Sequence, residues 1–171
     1  MVLGILAVSF GMFSTTMIAN NRTRSINRDT ALSAEAARVI FETMRNLDTS
    51  ELYALYNSVP GDDPGGAGTA PGADFAVLGL DPVPGDADGM VGRICLAERL
   101  AGGRWQLRED VIDPALGLPR DLNGDSIIDD LDHAQDYLVF PVRVELDWQG
   151  RFGARHMTVS TMLTRFRRTS R

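Results

Sequence analysis

The chain is poor in the residues that most reactive or cross-linked sites need. Among its 171 residues there are one cysteine, two histidines and no lysine. The single Cys95 excludes an intrachain disulfide framework and a multi-cysteine zinc site. His133 and His156 form no His-x-x-x-His or similar pair, and no GxSxG, P-loop or GxGxxG pattern occurs. We therefore expect a protein that is not an enzyme.

Acidic residues are scarce near both ends of the chain. Residues 1–47 carry five Arg and three acids, residues 48–136 five Arg and 18 acids, and residues 137–171 seven Arg and two acids. The net charge of −6 therefore originates in the middle of the chain. Nucleic-acid binding needs a basic face with interleaved aromatic residues or a recognition motif, and only the tail, with Arg165, Arg167, Arg168 and Arg171, leans that way. We interpret this tail as a solvated or lipid-facing terminus and expect no nucleic-acid partner.

The first 21 residues contain no charged side chain, and the first charge is Arg22. The stretch MVLGILAVSFGMFSTTMIA is apolar apart from hydroxyl groups, which can bond to helix carbonyls one turn earlier. At about 1.5 Å per residue, about 20 helical residues cross a hydrocarbon core about 30 Å thick. Residues 1–21 are therefore predicted to be the transmembrane half of an N-terminal helix. A cleaved signal peptide is the alternative, but a basic start and a small-x-small cleavage site are not evident.

The helical pattern continues beyond this segment. Residues 22–47 contain neither Pro nor Gly, and apolar residues recur at three- and four-residue steps. One helix of about 45 residues, roughly 68 Å long, is predicted. Its second half, assigned to residues 22–56, is amphipathic and should pack on a soluble domain, with Arg38, Glu42 and Arg45 facing away. The expected apolar stripe comprises Ile26, Leu32, Ala36, Val39, Ile40, Met44 and Leu47.

Small residues recur at steps of four along the apolar half of this helix. They are Ala7, Gly11, Thr15 and Ala19. In a helix they form one column, along which a second helix can approach closely. We predict that this column packs against a neighbouring helix. The alternative is that a segment rich in small residues produces such a column by composition alone.

Residues 57–171 are predicted to form a β-rich domain. Residues 57–74 are rich in Gly and Pro and should form a loop. Ala101-Gly102-Gly103 and the segment 149–153 are typical of hairpin turns, and the last two strand candidates show rough alternation of polar and apolar residues. Cys95 is expected in the core, and Trp105 and Trp148 in the core or on a sheet face. The strand candidates are 75–80, 91–98, 104–107, 137–148 and 156–166.

The charge-free start that runs into an amphipathic helix, followed by a small β-rich domain, resembles the type IV pilin and pseudopilin family. The stretch MVLGILAVSFGMFSTTMIANNRTRSINRDTALSAEAARVIFETMRNLDTSELY is similar to the helix of minor pilins. DFAVLGLDPVPGDADGMVGRI and YLVFPVRVELDWQGRFGARHMTVSTMLTR resemble the sheet of such proteins. The resemblance implies an α+β fold, in which a long N-terminal helix packs on a small antiparallel sheet. It also implies a structural subunit that assembles with sibling pilins or pseudopilins through its helix.

The family's leader ends in a Gly that is cleaved before Phe or Met, with a Glu a few residues later, and this pattern is absent from the sequence. We therefore expect the DNA upstream of the Met1 codon to encode such a leader in frame. Arg22, Arg24 and Arg28 alone would favour a cytoplasmic domain, and a basic leader would offset them. The expected location is the inner membrane, with a single span and the domain in the periplasm or outside the cell.

An acidic segment, residues 121–132, has the spacing of a calcium loop. Oxygen-bearing side chains occupy loop positions 1, 3, 5, 9 and 12, and the carbonyl at position 7 completes the shell that Ca²⁺ prefers. The segment resembles the dockerin-type and EF-hand loop. Ser126 stands at position 6, where Gly would relieve a left-handed backbone. The predicted ligands are Asp121, Asn123, Asp125, Ile127, Asp129 and Asp132.

The surroundings of this loop differ from those of an EF-hand. Pro114, Gly117 and Pro119 prevent a helix from entering the loop, so it should connect strands. Calcium would hold this long connection in place, because a cation that binds only the folded form stabilises it. The alternative is a solvated, Asp-rich connection that binds no ion.

Two hypotheses from different classes remain. The first is a structural minor pilin or pseudopilin subunit, assembled in a filament through its N-terminal helix. The second is a single-span, membrane-anchored binding module that does not polymerise. A filament subunit needs a helix surface that packs against other helices, whereas an anchor does not.

Overall fold

The computed structural model describes residues 2–164, apart from the side chains of residues 2–9, 11 and 12. Within residues 2–164, two α-helices and six strands form an α+β fold, which confirms the predicted class. One-turn 3-10 helices also occur at Pro60–Asp62 and Pro114–Leu116. The elements are α1 Val2–Asn46, α2 Leu52–Tyr56, β1 Asp74–Phe75, β2 Gly92–Leu96, β3 Glu98–Ala101, β4 Arg104–Leu107, β5 Val139–Gly150 and β6 Gly153–Thr164.

Helix α1 is continuous over 45 residues, as the pattern predicts, but it does not extend to residue 56. After Asn46 the side chain of Asp48 accepts hydrogen bonds from the backbone N–H and the hydroxyl of Ser50. This local turn competes with helical hydrogen bonding and redirects the chain. The helical segment assigned to residues 22–56 is therefore divided between α1 and the short α2.

The C-terminal part of α1 packs on the sheet through a narrow buried face. Ser33, Ala37, Phe41 and Met44 are buried at steps of three and four residues, with Leu32, Ala36 and Ile40 half-buried beside them. Arg38 lies on the opposite side, where it pairs with Glu35 and Glu42, as expected. Two members of the predicted stripe, Val39 and Leu47, are exposed, because the buried face is narrower than the stripe.

The main sheet has the strand order β1-β2-β5-β6 and is antiparallel throughout. Strands β5 and β6 form a long hairpin that closes at the Gly150–Gly153 pair, which confirms the predicted turn. A separate hairpin, β3-β4, closes through Gly102 and Gly103, whose φ values are both positive, as a tight two-residue turn requires. The strand predicted over 91–98 is therefore shared between two sheets, with buried Ala97 at the junction.

The strand predicted over 75–80 is wrong beyond Phe75. Leu80 N–H donates to the carbonyl of Val77, which closes a turn, and Gly79 adopts φ +89° within it. A turn with positive φ at its third residue favours glycine at that position. The local turn therefore replaces the alternation of a strand.

Alternation along the strands sorts side chains between the two faces of the main sheet. Ile94 and Leu96 point into the core that also contains Val144 and Leu146 of β5. Cys95 lies between them in sequence, so it faces the other side and is half-buried there, not in the core as predicted. Burial, together with the charge of Glu145, raises the pKa of the Cys95 thiol.

The two tryptophans differ in their surroundings. Trp148 on β5 is buried in the core, whereas Trp105 on β4 is 44% exposed. Both positions agree with the expectation of a core or sheet-face residue.

The first 20 residues of α1, residues 2–21, here called the free half, project from the sheet. The apolar side chains Phe10, Phe13, Met17 and Ile18 are between 58% and 73% exposed, and Ala19 is exposed as well. Just beyond the free half, the guanidinium of Arg22 lies 5.0 Å from the ring centre of Phe152. Residues 22–164 are called the body below.

Part of the membrane prediction lies outside the described residues. Met1 and the side chains of residues 2–9, 11 and 12 are not described, and they include Ala7 and Gly11 of the small-residue column. Among the residues whose side chains are described, residue 10 and residues 13–164, no helical segment is both long enough and apolar enough to cross a bilayer.

Candidate functional site

The beginning of the predicted calcium loop is organised by its own side chains. Asp121 accepts hydrogen bonds from the backbone N–H groups of Gly124 and Ser126. Asn123 accepts from the N–H of Asp125 and donates through its side-chain amide to the Asp125 carboxylate. Partial burial would raise the pKa of Asp121, but these N–H donors outweigh it and hold that pKa below its usual range. The loop therefore brings Asp121, Asn123 and Asp125 together.

Backbone geometry at Ser126 agrees with the position-6 assignment. Ser126 has φ +71°, and among residues 2–164 it is the only non-glycine residue with a positive φ. A left-handed conformation costs a residue with a side chain roughly 1–2 kcal/mol. The sequence predicted this conformation from the loop spacing.

The last two predicted side-chain ligands also form contacts outside the loop. Asp129 accepts from the N–H of Leu131, and Asp129 Oδ1 lies 3.2 Å from His133 Nε2. Asp132 Oδ1 accepts from the N–H groups of Leu107 and Ala134. The first three side-chain ligands of the loop therefore lie close to one another. The last two point away from them, Asp129 towards His133 and Asp132 towards Leu107 of β4.

Glu109 is a buried acid that the sequence analysis does not single out. It follows β4, and its side chain is only 1% exposed. Its Oε1 accepts from the N–H groups of Leu122 and Asn123, which fixes the start of the acidic loop against the core. Its Oε2 is buried and has no hydrogen-bond partner. A buried carboxylate oxygen without a partner is energetically costly, so this atom requires an explanation.

His133 lies beside this oxygen, 3% exposed and surrounded by carboxylates. Its Nδ1 is 3.1 Å from Asp136 Oδ1, and its Nε2 is 3.8 Å from Glu109 Oε2. Burial alone would lower the pKa of His133. The hydrogen bonds to Asp129 and Asp136 and the charge of Glu109 outweigh burial and raise it.

These contacts assemble a mixed cluster. One ligand atom each from Glu109, Asp129 and His133 lie within 4.8 Å of one another, and no other group of three or more such residues is found within residues 2–164. The cluster takes Asp129 from the predicted calcium loop and adds two residues that the loop spacing cannot contain. The signal that could have indicated part of it is the four-residue step from Asp129 to His133.

The second histidine forms a different arrangement on the outer face of the sheet. His156 Nδ1 lies 2.8 Å from Asp147 Oδ1, and its Nε2 lies 2.7 Å from Thr158 Oγ1. His156 and Asp147 are each 55% exposed, so water competes for every contact. The arrangement lacks the enclosure that would make Thr158 a nucleophile.

A groove of about 530 Å³ lies between α2, the β3-β4 hairpin and the end of the acidic loop. Tyr53, Trp105 and Asp132 are among the residues that line it. Glu98 does not line the groove but interacts with Tyr53: burial raises the pKa of Glu98 to about 7, although the Tyr53 hydroxyl acts in the opposite direction. The groove offers aromatic and polar groups to a ligand.

No protein-family model matches the chain, and neither a curated protein nor a solved structure is significantly similar to it. The function of the protein is therefore inferred from its residues and their geometry.

Proposed function

We propose that the chain is a structural subunit of a type IV pilus-like or type II secretion-like filament, in the manner of a minor pilin or pseudopilin. The observation that carries the proposal is the division of α1. One uninterrupted helix presents exposed Phe10, Phe13 and Ile18 in its free half, and it is packed on the sheet from Ser33 onwards.

Apolar side chains of this size favour a partner that removes them from water. Full burial of a Phe, Met or Ile side chain contributes roughly 1.5–3 kcal/mol. In a bilayer the partner is lipid, and in a filament it is the corresponding helix of other subunits. The absence of charge from residues 1–21 suits both environments.

The small-residue column supports helix packing in particular. Thr15 and Ala19 lie one turn apart on the exposed surface of the free half. Small side chains let a second helix approach closely, so that contacts between backbones become possible. In such a filament, the free halves of several subunits form a helical bundle, and the body of each subunit lies on its outside.

We further propose that Ca²⁺ stabilises the acidic loop in this subunit. Asp121, Asn123 and Asp125 are already close to one another, and the left-handed Ser126 suits the tight turn of such a loop. The Ile127 carbonyl and the carboxylates of Asp129 and Asp132 remain the other proposed ligands. Calcium binding would reduce the repulsion among these carboxylates.

The second candidate function is a membrane-anchored binding module that does not polymerise. The observation that favours it is the groove beside Tyr53, where Trp105 presents an exposed aromatic face. In this case the free half only holds the body at a membrane, and the groove binds an extracellular ligand.

Site-directed cross-linking of the full chain in membranes tests the two functions against each other. Cys95 is replaced by Ser, and a cysteine is introduced at Thr15, one turn before Ala19 in the small-residue column of the free half. The filament proposal predicts cross-links to further copies or to sibling subunits, and Ala19→Leu should reduce them because a bulky side chain blocks close approach.

Asn21→Leu is the matched control, because position 21 lies on the opposite side of the helix from position 19. This variant should cross-link like the parent. A chain that is recovered with membranes but forms no cross-link would overturn the filament proposal and favour the anchor. A chain that is recovered in solution without detergent would contradict both.

A further inference from the structure

We propose that Glu109, Asp129 and His133 form a binding site for a divalent transition cation of the Zn²⁺ class. The site would use Glu109 Oε2, Asp129 Oδ1 and His133 Nε2. It goes beyond the filament function, and it shares Asp129 with the proposed calcium loop, so its test is made without calcium.

Asp136 orients the His133 ring. Nδ1 lies 3.1 Å from Asp136 Oδ1, so an N–H at this nitrogen can donate to that carboxylate. In metal sites such a carboxylate commonly fixes the tautomer of a ligating histidine and leaves the other nitrogen free for the metal. Nε2 then faces Glu109 and Asp129.

The space between His133 Nε2 and the carboxylates of Glu109 and Asp129 favours a positively charged occupant. A lone pair on Nε2 would be repelled by both oxygens, so the arrangement requires a cation. A proton on Nε2 would satisfy Asp129 at 3.2 Å, but it would leave Glu109 Oε2 at 3.8 Å, beyond hydrogen-bond distance. That oxygen is buried without a partner. A metal ion can bind all three atoms at once.

The separations suit a small tetrahedral ion. With metal–ligand bonds of about 2.0–2.2 Å, neighbouring ligand atoms lie roughly 3.3–3.6 Å apart. The distances of 3.2 Å and 3.8 Å from His133 Nε2 to the two carboxylates lie on either side of this value, and one ligand atom from each of the three residues lies within 4.8 Å of the others. Three protein ligands leave a fourth position for water, and Asp129, whose side chain is 30% exposed, connects the site with solvent.

The nitrogen ligand decides the class of metal. Ca²⁺ prefers six to eight oxygen ligands at about 2.3–2.6 Å, which this buried triad does not provide. Imidazole combined with carboxylates suits Zn²⁺ and related first-row ions. Such an ion would join the end of β4, through Glu109, to the acidic connection that carries Asp129 and His133.

The test is calorimetric titration of the full chain in detergent micelles with Zn²⁺, in buffer free of calcium. We expect one Zn²⁺ per chain. Glu109→Gln should weaken binding at least tenfold, and it retains an Oε1 acceptor for Leu122 N–H. His133→Gln should weaken binding by a comparable or larger factor. His156→Gln is the matched control, because this exposed histidine also contacts an aspartate, and its affinity should stay within twofold of the parent.

A second measurement keeps the proposal testable if a variant does not fold. Nitrogen NMR of the two histidines in the unaltered chain should show a shift of His133 Nε2 on adding one equivalent of Zn²⁺, with His156 unchanged. Equimolar Ca²⁺ should not reverse this shift. The proposal is overturned if neither histidine responds, if only His156 responds, if Ca²⁺ displaces the zinc, or if a folded His133→Gln variant binds Zn²⁺ like the parent. In that case a proton on His133 Nε2, and not a metal ion, lies between the histidine and the two carboxylates.

Discussion

The free half of α1 and the body differ in the partners available to similar residues. Phe13 and Phe41 lie on the same helix, yet Phe13 is 67% exposed and Phe41 is 7% exposed. Helical backbone geometry is the same in both places, because it depends on local hydrogen bonds. Burial depends on what packs against the side chain: Phe41 belongs to the core that includes the sheet, whereas Phe13 stays exposed. The two halves of α1 therefore differ in packing and not in backbone geometry.

Charge separates the two regions in the same way. Residues 1–21 have no charged side chain, whereas the body contains every acid and both histidines. Responses to pH and to cations should therefore belong to the body alone.

Deleting residues 2–21 should change where the chain is found without unfolding the body. We expect the full chain to fractionate with membranes and the shortened chain to be soluble, because the exposed apolar surface of Phe10, Phe13 and Ile18 is removed. Sedimentation without detergent measures the change. The thermal midpoint should stay within about 2 °C, because these side chains support no core contact. Loss of cooperative unfolding would show that the free half stabilises the body.

Replacing Phe41 or Phe13 by alanine should have very different effects on the free energy of unfolding. Phe41→Ala should lower the free energy of unfolding by roughly 3–5 kcal/mol, because it leaves a cavity between α1 and the sheet. Phe13→Ala is the matched control on the same helix and should change it by less than about 0.5 kcal/mol. Urea denaturation of both variants measures the difference. Equal effects would mean that the free half is packed within the chain.

Calcium should stabilise the body through the acidic loop. With the affinity of about 10⁻⁴–10⁻³ M typical of extracellular sites, 5 mM Ca²⁺ should add about 1–2 kcal/mol, a rise of a few degrees in the thermal midpoint. Asp125→Asn should remove most of this gain, because it removes a charge and retains the acceptor for Ile127 N–H. Asp86→Asn, an exposed acid outside the loop, should leave the gain unchanged. An unaltered melting curve with calcium or with a chelator would refute this assignment.

The pH dependence of stability should show the effect of Glu98. Its pKa is raised from 4.5 to about 7 by burial, so between these values the folded chain binds more protons than the unfolded chain. The stabilisation is complete below pH 4.5 and is lost as pH rises through 7. Glu98→Gln should therefore reduce the loss of stability between pH 5 and 8 by about 1 kcal/mol, after allowance for solvent screening. Denaturation at both pH values measures it, and exposed Glu51→Gln should have no such effect.

Local signals allowed much of the secondary structure to be predicted. The absence of Pro and Gly from residues 22–47 predicted a continuous helix, and Gly102-Gly103 predicted the β3-β4 hairpin. The errors arise where a local hydrogen bond or a neighbouring strand overrides the pattern. The side chain of Asp48 ends the helical segment early, and the turn at Gly79 shortens the first strand.

The two candidate sites differ in how far the sequence could predict them. The acidic loop depends on the spacing of neighbouring residues, so its turn at Ser126 could be predicted. The cluster of Glu109, Asp129 and His133 could not, because Glu109 lies far from Asp129 and His133 along the connection between β4 and β5, and they meet only after the two ends of that connection pack together.

The sequence by itself determined the continuity of α1, its charge-free beginning, the hairpin turns and the local geometry of the acidic loop. All of these depend on interactions between residues a few positions apart. The tertiary structure alone decided which face of α1 is buried, which side of the sheet Cys95 occupies, and that an unpartnered Glu109 oxygen lies beside His133. These features depend on strand register and on packing between distant segments, and such long-range contacts form only when the whole chain folds.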